Sequence, residues 1–273
     1  MICDGCEGMT DTNSPSSISV VIPAFNEVEN VEKLSLELQV VLDGIGSDYE
    51  IIFVNDGSND GTLEKLHSLK ERIDQLIIVD LVENSGQTAA TLAGFHNSSK
   101  DIIVSMDSDL QHYPEDIPAI VNEVKRGYDC VGSWRYDRTT ERFGKRFPSK
   151  ISNILAYHLT GTHIHDFGSG FKAYRRECVE TIQLYGSFHR YIPAIVKDQG
   201  YTVNEIRIEW RERYGGKTKY GSSRLIKGLR DLFFISLTTR FKSFPGASLL
   251  AKLMIKINYD GGKMIYQIRK VYA

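Results

Sequence analysis

Five apolar runs, each too short for a helix and most of them followed by residues at helical spacing, constrain this chain more than any other feature. They are "ISVVIP" (18–23), "YEIIFVN" (49–55), "QLIIVDL" (75–81), "DIIVSMD" (101–107) and "YDCVGS" (128–133). Between them lie "EVENVEKLSLELQVVLDGIG" (27–46), "NDGTLEKLHSLKER" (59–72), "GQTAATLAGFHNSS" (86–99) and a Pro-started helix over 114–126. A strand that reads as a continuous apolar run is buried on both faces. Strands of that kind alternating with helices predict an α/β fold, with a mostly parallel central sheet and helices on both faces. Ligands of such sheets collect at the carboxyl ends of the strands. Polar clusters stand at those ends: Asn26-Glu27, Asn55-Asp56-Gly57-Ser58 and Asp107-Ser108-Asp109.

Charge narrows the classes. The 273 residues hold 33 Lys/Arg against 35 Asp/Glu, a net charge of −2, so no basic field marks a nucleic-acid partner. The distribution is uneven: Arg240, Lys242, Lys252, Lys256, Lys263, Arg269 and Lys270 face a single acid, Asp260, in the last part of the chain. Four cysteines in a chain of this size make no disulfide framework. Cys3 and Cys6 lack a second pair at zinc-site spacing, and Cys130 and Cys178 read as core. No charged n-region precedes an apolar core near Met1, and no run of about 18 apolar residues exists. A reducing cytoplasm and no spanning helix are the expectation.

The acidic cluster carries the chemistry. If the segment is extended, Asp107, Asp109 and Gln111 project on one side. Hard oxygen donors suit Mg²⁺ or Mn²⁺, which keep positions open for water and substrate phosphates. The bland alternative is helix capping ahead of Pro114. Asp56 sits just past a buried strand, ahead of the turn-permitting Gly57 and Gly61, where a carboxylate can accept hydrogen bonds from a nucleobase or simply belong to a plain loop. His112, His163, His165 and His189 share no metal-ligating spacing and read as structural. Trp134 reads equally as a sugar-lining or a core-edge aromatic.

In this order, "VVIPAFNE", "NDGSNDGT", "MDSDLQH", "DFGSGFKAYRRE", "HRYIPA" and "GGKTKYG" resemble the inverting GT-A glycosyltransferases of family 2. "MDSDLQHYPE" and "DFGSGFKAYRRE" are similar to the polyprenyl-phosphate glycosyltransferase branch, the dolichol-phosphate mannose synthase type. The resemblance implies a GT-A fold and transfer of a sugar from a UDP- or GDP-linked donor to a polyprenyl phosphate, with inversion. It implies nucleotide-sugar contacts at Pro23, Ala24, Asn26, Glu27, Asp56 and Asp107, and a metal site at Asp107, Asp109 and Gln111. It implies acceptor-phosphate contacts at Arg135, Lys145, Arg146 and Ser149, and a catalytic group of Asp166, Asp109 and Arg135. Asp166 would position or deprotonate the acceptor, or anchor the arginines. Arg213 and Lys219 match basic residues ahead of the membrane-associated helices.

These readings divide the chain into a flexible tail (1–17), a catalytic domain (18–221) and a helical, basic segment (222–273). Many members of the resembled family continue into spanning helices. Here the cationic segment and the aromatic stretch before it predict peripheral attachment to an anionic lipid surface, on the cytoplasmic face of a membrane. Two alternatives are an enzyme of the same fold acting on a hydroxyl of a soluble glycan, and a non-catalytic scaffold.

Overall fold

The computed structural model describes residues 16–136, 143–211, 223–244, 246–258 and 266–273, with backbone alone at 143–151, 223–227 and parts of 248–258. Elements run β1 (Ile18–Ala24), α1 (Val31–Ile45), β2 (Tyr49–Asn55), α2 (Thr62–Lys70), β3 (Leu76–Leu81), α3 (Gln87–His96), β4 (Ile102–Ser105), α4 (Ile117–Lys125) and β5 (Cys130–Arg135). They continue α5 (Phe143–Thr160), β6 (Lys172–Arg175), α6 (Arg176–Val179), α7 (Ile192–Asp198), β7 (Val203–Ile208), α8 (Ser223–Thr238), α9 (Ala247–Asn258) and β8 (Ile268–Tyr272).

Among the described residues, eight strands join one sheet in the order β7-β5-β6-β4-β1-β2-β3-β8. The central β4-β1-β2-β3 set is parallel, which explains why its strands read as apolar throughout. Alternation then sorts each strand between two cores. Val20 and Ile22 of β1 pack with Leu34 and Leu38 of α1, whereas Val21 packs with Ala89, Ala90 and Ala93 of α3. Cys130 and Cys178 are buried, as their apolar surroundings suggest.

β6 runs antiparallel between β4 and β5. Its first residue, Lys172, therefore lies opposite Ser105, the last residue of β4. The glycine-rich segment entering β6 is thereby brought to the same sheet edge as the segment leaving β4. Arg135 closes β5 at that edge too, paired in register with Ile208 of β7.

The chain does not remain helical after residue 222. α8 and α9 are helices, but Ile268–Tyr272 returns as a strand antiparallel to β3. Two of the cations expected to face lipid, Arg269 and Lys270, are thus in the sheet. Arg269 Nη1 donates to the buried Asp80 carboxylate at 3.2 Å, and Lys270 lies over the Tyr272 ring. The expected tail falls outside the described residues over 1–15, as do Arg213 and Lys219 and the side chains of Lys145, Arg146 and Ser149. No helix among the described residues is long and apolar enough to cross a membrane.

Candidate active site

The site is assembled where β1, β2, β4 and β5 end and β6 begins. Asp107 sits just past β4, and its Oδ1 accepts from Gln87 Nε2 at 2.7 Å, at the start of α3. Its carboxylate keeps 29% of its exposure, and His112 Nε2 lies 3.9 Å from Oδ2. Burial, and then the neighbouring Asp109 charge, push the Asp107 carboxyl above its ordinary range, against the pull of Arg135, Lys172 and Arg190. A bound cation would offset both the burial of this charge and its repulsion by Asp109.

The segment is not extended as the spacing suggested. Residues 108–110 turn, Leu110 adopts a positive φ of 60°, and Asp109 Oδ1 accepts from the Gln111 backbone N–H at 3.2 Å. An aspartate bonding its own backbone two residues on favours such a turn. Among the described residues there is no group of three or more His, Cys, Asp and Glu suited to a metal. Asp107 and Asp109 form a two-carboxylate set instead. That number fits a hard cation of the Mg²⁺ type, which takes one or two protein carboxylates and completes its shell with water and phosphate oxygens.

The segment 166–171 interlocks with Asp107. Ser105 Oγ donates to the Gly170 carbonyl at 2.8 Å, and a Cβ on Gly170 would overlap the Asp107 carboxylate. Gly170 therefore matters for lack of a side chain. Lys172, 2% exposed, donates from Nζ to the Ser169 carbonyl. Burial draws its pKa down to about 8 against the attraction of Asp107 and Asp166. A small cavity of about 20 Å³ lies between Pro23, Gln87, Asp107, Gly170, Lys172 and His189.

Arg135 and Asp166 form a buried fork. Arg135 Nε donates to Asp166 Oδ2 at 2.6 Å and Nη2 to Oδ1 at 3.0 Å, while Gly168 N–H also reaches Oδ1 at 3.1 Å. The guanidinium is 4.8 Å from the centre of the Trp210 ring. Of the roles open to Asp166, this geometry describes an anchor: both oxygens already accept from the cation they hold. Trp134 stacks on His165 at 4.2 Å under Arg207, a rim arrangement with no described contact to Asp107.

On the β1 and β2 side, Asn26 takes a positive φ of 53° and accepts from Asn59 N–H at 2.9 Å, while its own N–H reaches Ser58 Oγ at 3.0 Å. Glu27 N–H donates to Thr62 Oγ1 at 2.9 Å, and Pro23 and Ala24 lie at the end of β1. Asp56 is 3% exposed, and its carboxylate already accepts from Ser85 N–H (2.7 Å), Gly86 N–H (2.9 Å) and Asn84 Nδ2 (3.1 Å). It braces the loop after β3 rather than projecting freely toward a base. Burial raises its pKa against the hydrogen bonds from Ser85 and Gly86.

Sequence reasoning missed Gln87, His112, Lys172, Arg190 and Trp210. His112 is buried between Phe171 and Trp210, as a structural histidine would be, and it also stands beside Asp107. Its place inside "MDSDLQH" was the available signal. Lys172 in "SGFKAY" had none, because a lysine opening a strand ordinarily points to solvent.

Known proteins share both the pattern and the fold. The glycosyl transferase family 2 model matches residues 19–183. An undecaprenyl-phosphate 4-deoxy-4-formamido-L-arabinose transferase of Pseudomonas aeruginosa (strain LESB58) is 36% identical over 85% of this chain and 69% of its own length. A dodecaprenyl-phosphate galacturonate synthase of Rhizobium johnstonii is 35% identical over 88% of this chain and 73% of its own. The crystal structure of glucosyl-3-phosphoglycerate synthase from Mycobacterium tuberculosis, in complex with Mn²⁺, UDP and glucosyl-3-phosphoglycerate, superimposes with a TM-score of 0.65. It is 20% identical and covers 86% of each chain, a likeness of fold. A paired-carboxylate turn, a buried arginine fork and a mostly parallel sheet thus occur in a chain whose sequence matches along most of its length, and the protein belongs to glycosyl transferase family 2.

Proposed function

We propose that this glycosyltransferase moves a sugar from a UDP- or GDP-linked donor to a polyprenyl phosphate, with inversion at the anomeric carbon. The observation that carries this reading is the closeness of opposite charges. Asp107 and Asp109 crowd together, and the Arg135 guanidinium, locked by Asp166, lies within electrostatic reach of Asp107. Acidic groups suit the diphosphate end of a donor only with a divalent cation between them. An arginine held in fixed orientation suits the acceptor phosphate and screens repulsion between two anionic substrates. The relatives named above act on undecaprenyl and dodecaprenyl phosphates.

Asp107 and Asp109 would hold Mg²⁺ or Mn²⁺, which when bound stabilises charge on the departing nucleoside diphosphate. This chain's own residues do the rest. Gln87 and the bare Gly170 backbone fix Asp107, Lys172 adds a buried positive charge beside it, and Asp166 aims Arg135. The nucleophile is a phosphate oxygen already ionised near neutral pH, so no general base is required. That agrees with an Asp166 whose oxygens are occupied. Transfer to a hydroxyl of a soluble glycan would need a base, a role for which an Asp166 already engaged by Arg135 is poorly suited.

Membrane contact would come from α8 and α9. Phe233 of α8 (48% exposed), Phe244 in the segment between the helices (64%), and Leu249 (73%) and Leu253 (51%) of α9 present apolar surface, among Lys and Arg. Apolar side chains flanked by cations favour an anionic lipid surface.

The test is a panel of UDP- and GDP-sugars incubated with polyprenyl phosphate in vesicles and Mn²⁺, read by product mass. A lipid-linked monosaccharide is expected. Product on a soluble glycan and none on lipid would overturn the acceptor assignment.

A further inference from the structure

The last strand reaches the donor side of the site through one side chain. Pairing of β8 with β3 is interrupted: Asp80 pairs with Lys270 but Leu81 with Ile268, so Arg269 is the extra residue of a bulge. Bulges re-aim side chains. Here the guanidinium is turned back onto β3, where Nη1 donates to Asp80 Oδ2 at 3.2 Å and Nη2 to the Val82 carbonyl at 2.8 Å.

Both acceptors lead onward. Asp80 is 1% exposed, and its other oxygen, Oδ1, accepts from Asn55 Nδ2 at 2.7 Å. Asn55 Oδ1 in turn accepts from the Ser58 N–H at 3.2 Å, and Ser58 Oγ accepts from the Asn26 N–H. Val82, also held through its N–H to the Gln267 carbonyl at 2.9 Å, opens the 82–86 loop whose backbone and Asn84 grip Asp56. The two branches meet again at Gly57, where a Cβ would come within 2.5 Å of the Asn84 nitrogen. Loops 55–58 and 82–86 are therefore bonded and packed to one another, and Arg269 is tied to both.

Two further contacts seat the strand that carries Arg269. Tyr266, 5% exposed, has its hydroxyl 2.6 Å from His96 Nδ1 of α3, and the Tyr272 ring packs edge-on to His67 of α2 at 4.3 Å.

We infer that Arg269 is a positioning residue for donor binding: through Asp80 and Val82 it holds the Asn55–Ser58 and Val82–Gly86 loops in the arrangement that receives the nucleotide. The inference rests on the assignment of these loops to the donor. Arg269 bonds Asp80 and Val82 and does not line the cavity beside Asp107, so its loss should appear in donor affinity rather than in the chemical step. It also gives the strand following the lipid-facing helices a physical route to the donor site.

The experiment uses the full chain with UDP and GDP as probes, each titrated calorimetrically in the presence of Mn²⁺, alongside Arg269→Ala, Arg269→Lys and the double variant Asp80→Asn/Arg269→Ala. Arg269→Ala is expected to bind nucleotide roughly tenfold more weakly, as loss of charge-assisted hydrogen bonds implies. Its KM for donor should rise while kcat at saturating donor stays near wild type, and Arg269→Lys should recover part of the affinity. Amide exchange should quicken in residues 55–58 and 82–86. The double variant removes the stranded carboxylate charge, so it should regain thermal stability yet remain weak for nucleotide. If it regains both, Arg269 merely neutralises Asp80 and the inference fails. Wild-type affinity in a folded Arg269→Ala protein overturns it as well, leaving the donor assignment intact. If wild type itself binds neither nucleotide, the donor assignment falls, and the inference with it.

Discussion

Gly170 and Asp107 share a space that admits one carboxylate and no methyl group. The glycine's carbonyl is fixed by Ser105, so the backbone cannot yield without breaking that bond. Gly170→Ala is therefore expected to displace Asp107 at a cost of about 1–3 kcal/mol in stability. A misplacement of about 1 Å in a reacting site can lower turnover by roughly a hundredfold. Steady-state transfer assays with thermal melts check both, and wild-type turnover in this variant would contradict the interlock.

Asp107→Ala and Asp109→Ala should each abolish transfer without unfolding the protein. Each removes one of the two proposed cation ligands and also relieves the repulsion that, after burial, raises the Asp107 pKa. Melting temperature without metal should stay level or rise, and added Mn²⁺ should no longer increase it. Near-wild-type turnover of either variant in EDTA would remove the metal assignment.

For the Arg135–Asp166 pair, removing one partner strands a buried charge, which costs about 3–5 kcal/mol. Asp166→Asn and Arg135→Ala should both raise the KM for lipid phosphate, and the double variant should be little worse than either single one. A general base would behave differently. Its loss would abolish an ionisation in the rate profile and be additive with the arginine change.

Asp116 offers a stability test away from the chemistry. Its Oδ2 has no hydrogen-bond partner among the described residues. Burial first, then Glu209 and Glu115, push its pKa up to about 6. A carboxyl raised above its unfolded value binds its proton more readily in the folded state, so its contribution to stability falls as pH rises from about 4 to about 6. Asp116→Asn should be more stable than wild type at pH 7.5, by roughly 1 kcal/mol after solvent screening. The difference should vanish below about pH 4 in urea melts.

Flotation with anionic vesicles tests the α8–α9 surface. Binding is expected at low salt and should weaken as the screening length falls from about 10 Å at 0.1 M to about 3 Å at 1 M. Leu249→Ser with Leu253→Ser should reduce the salt-resistant fraction, since both leucines are mostly exposed. A protein that stays with the soluble fraction at low salt would refute peripheral attachment.

The parallel core was legible because burial on both faces leaves an apolar run that needs no context. β6, β7 and β8 left no such mark. "KAYR" opens with a buried lysine whose charge is favoured by Asp107, far earlier in the chain, as well as by the nearby Asp166. "VNEIRI" and "IRKVY" are half-buried or exposed strands whose charged residues break the pattern. In the site, the residue types at the strand ends were readable. Their geometry was not, because a left-handed Leu110 and an Arg135–Asp166 fork across 31 positions are tertiary facts.

The pairing of β8 with β3 also imposes an order of events during synthesis. Four parallel strands and their helices emerge from the ribosome well before residues 266–273 exist. Until then β3 is an open sheet edge, and Asp80 lies beside Asn55 without the arginine that neutralises it. An unpaired edge is a template for mispairing, and closing a contact across 189 positions is slow to nucleate. The nascent chain must therefore hold the parallel strands with an open β3 edge, and the loops that β8 braces settle only after residues 266–273 have been made.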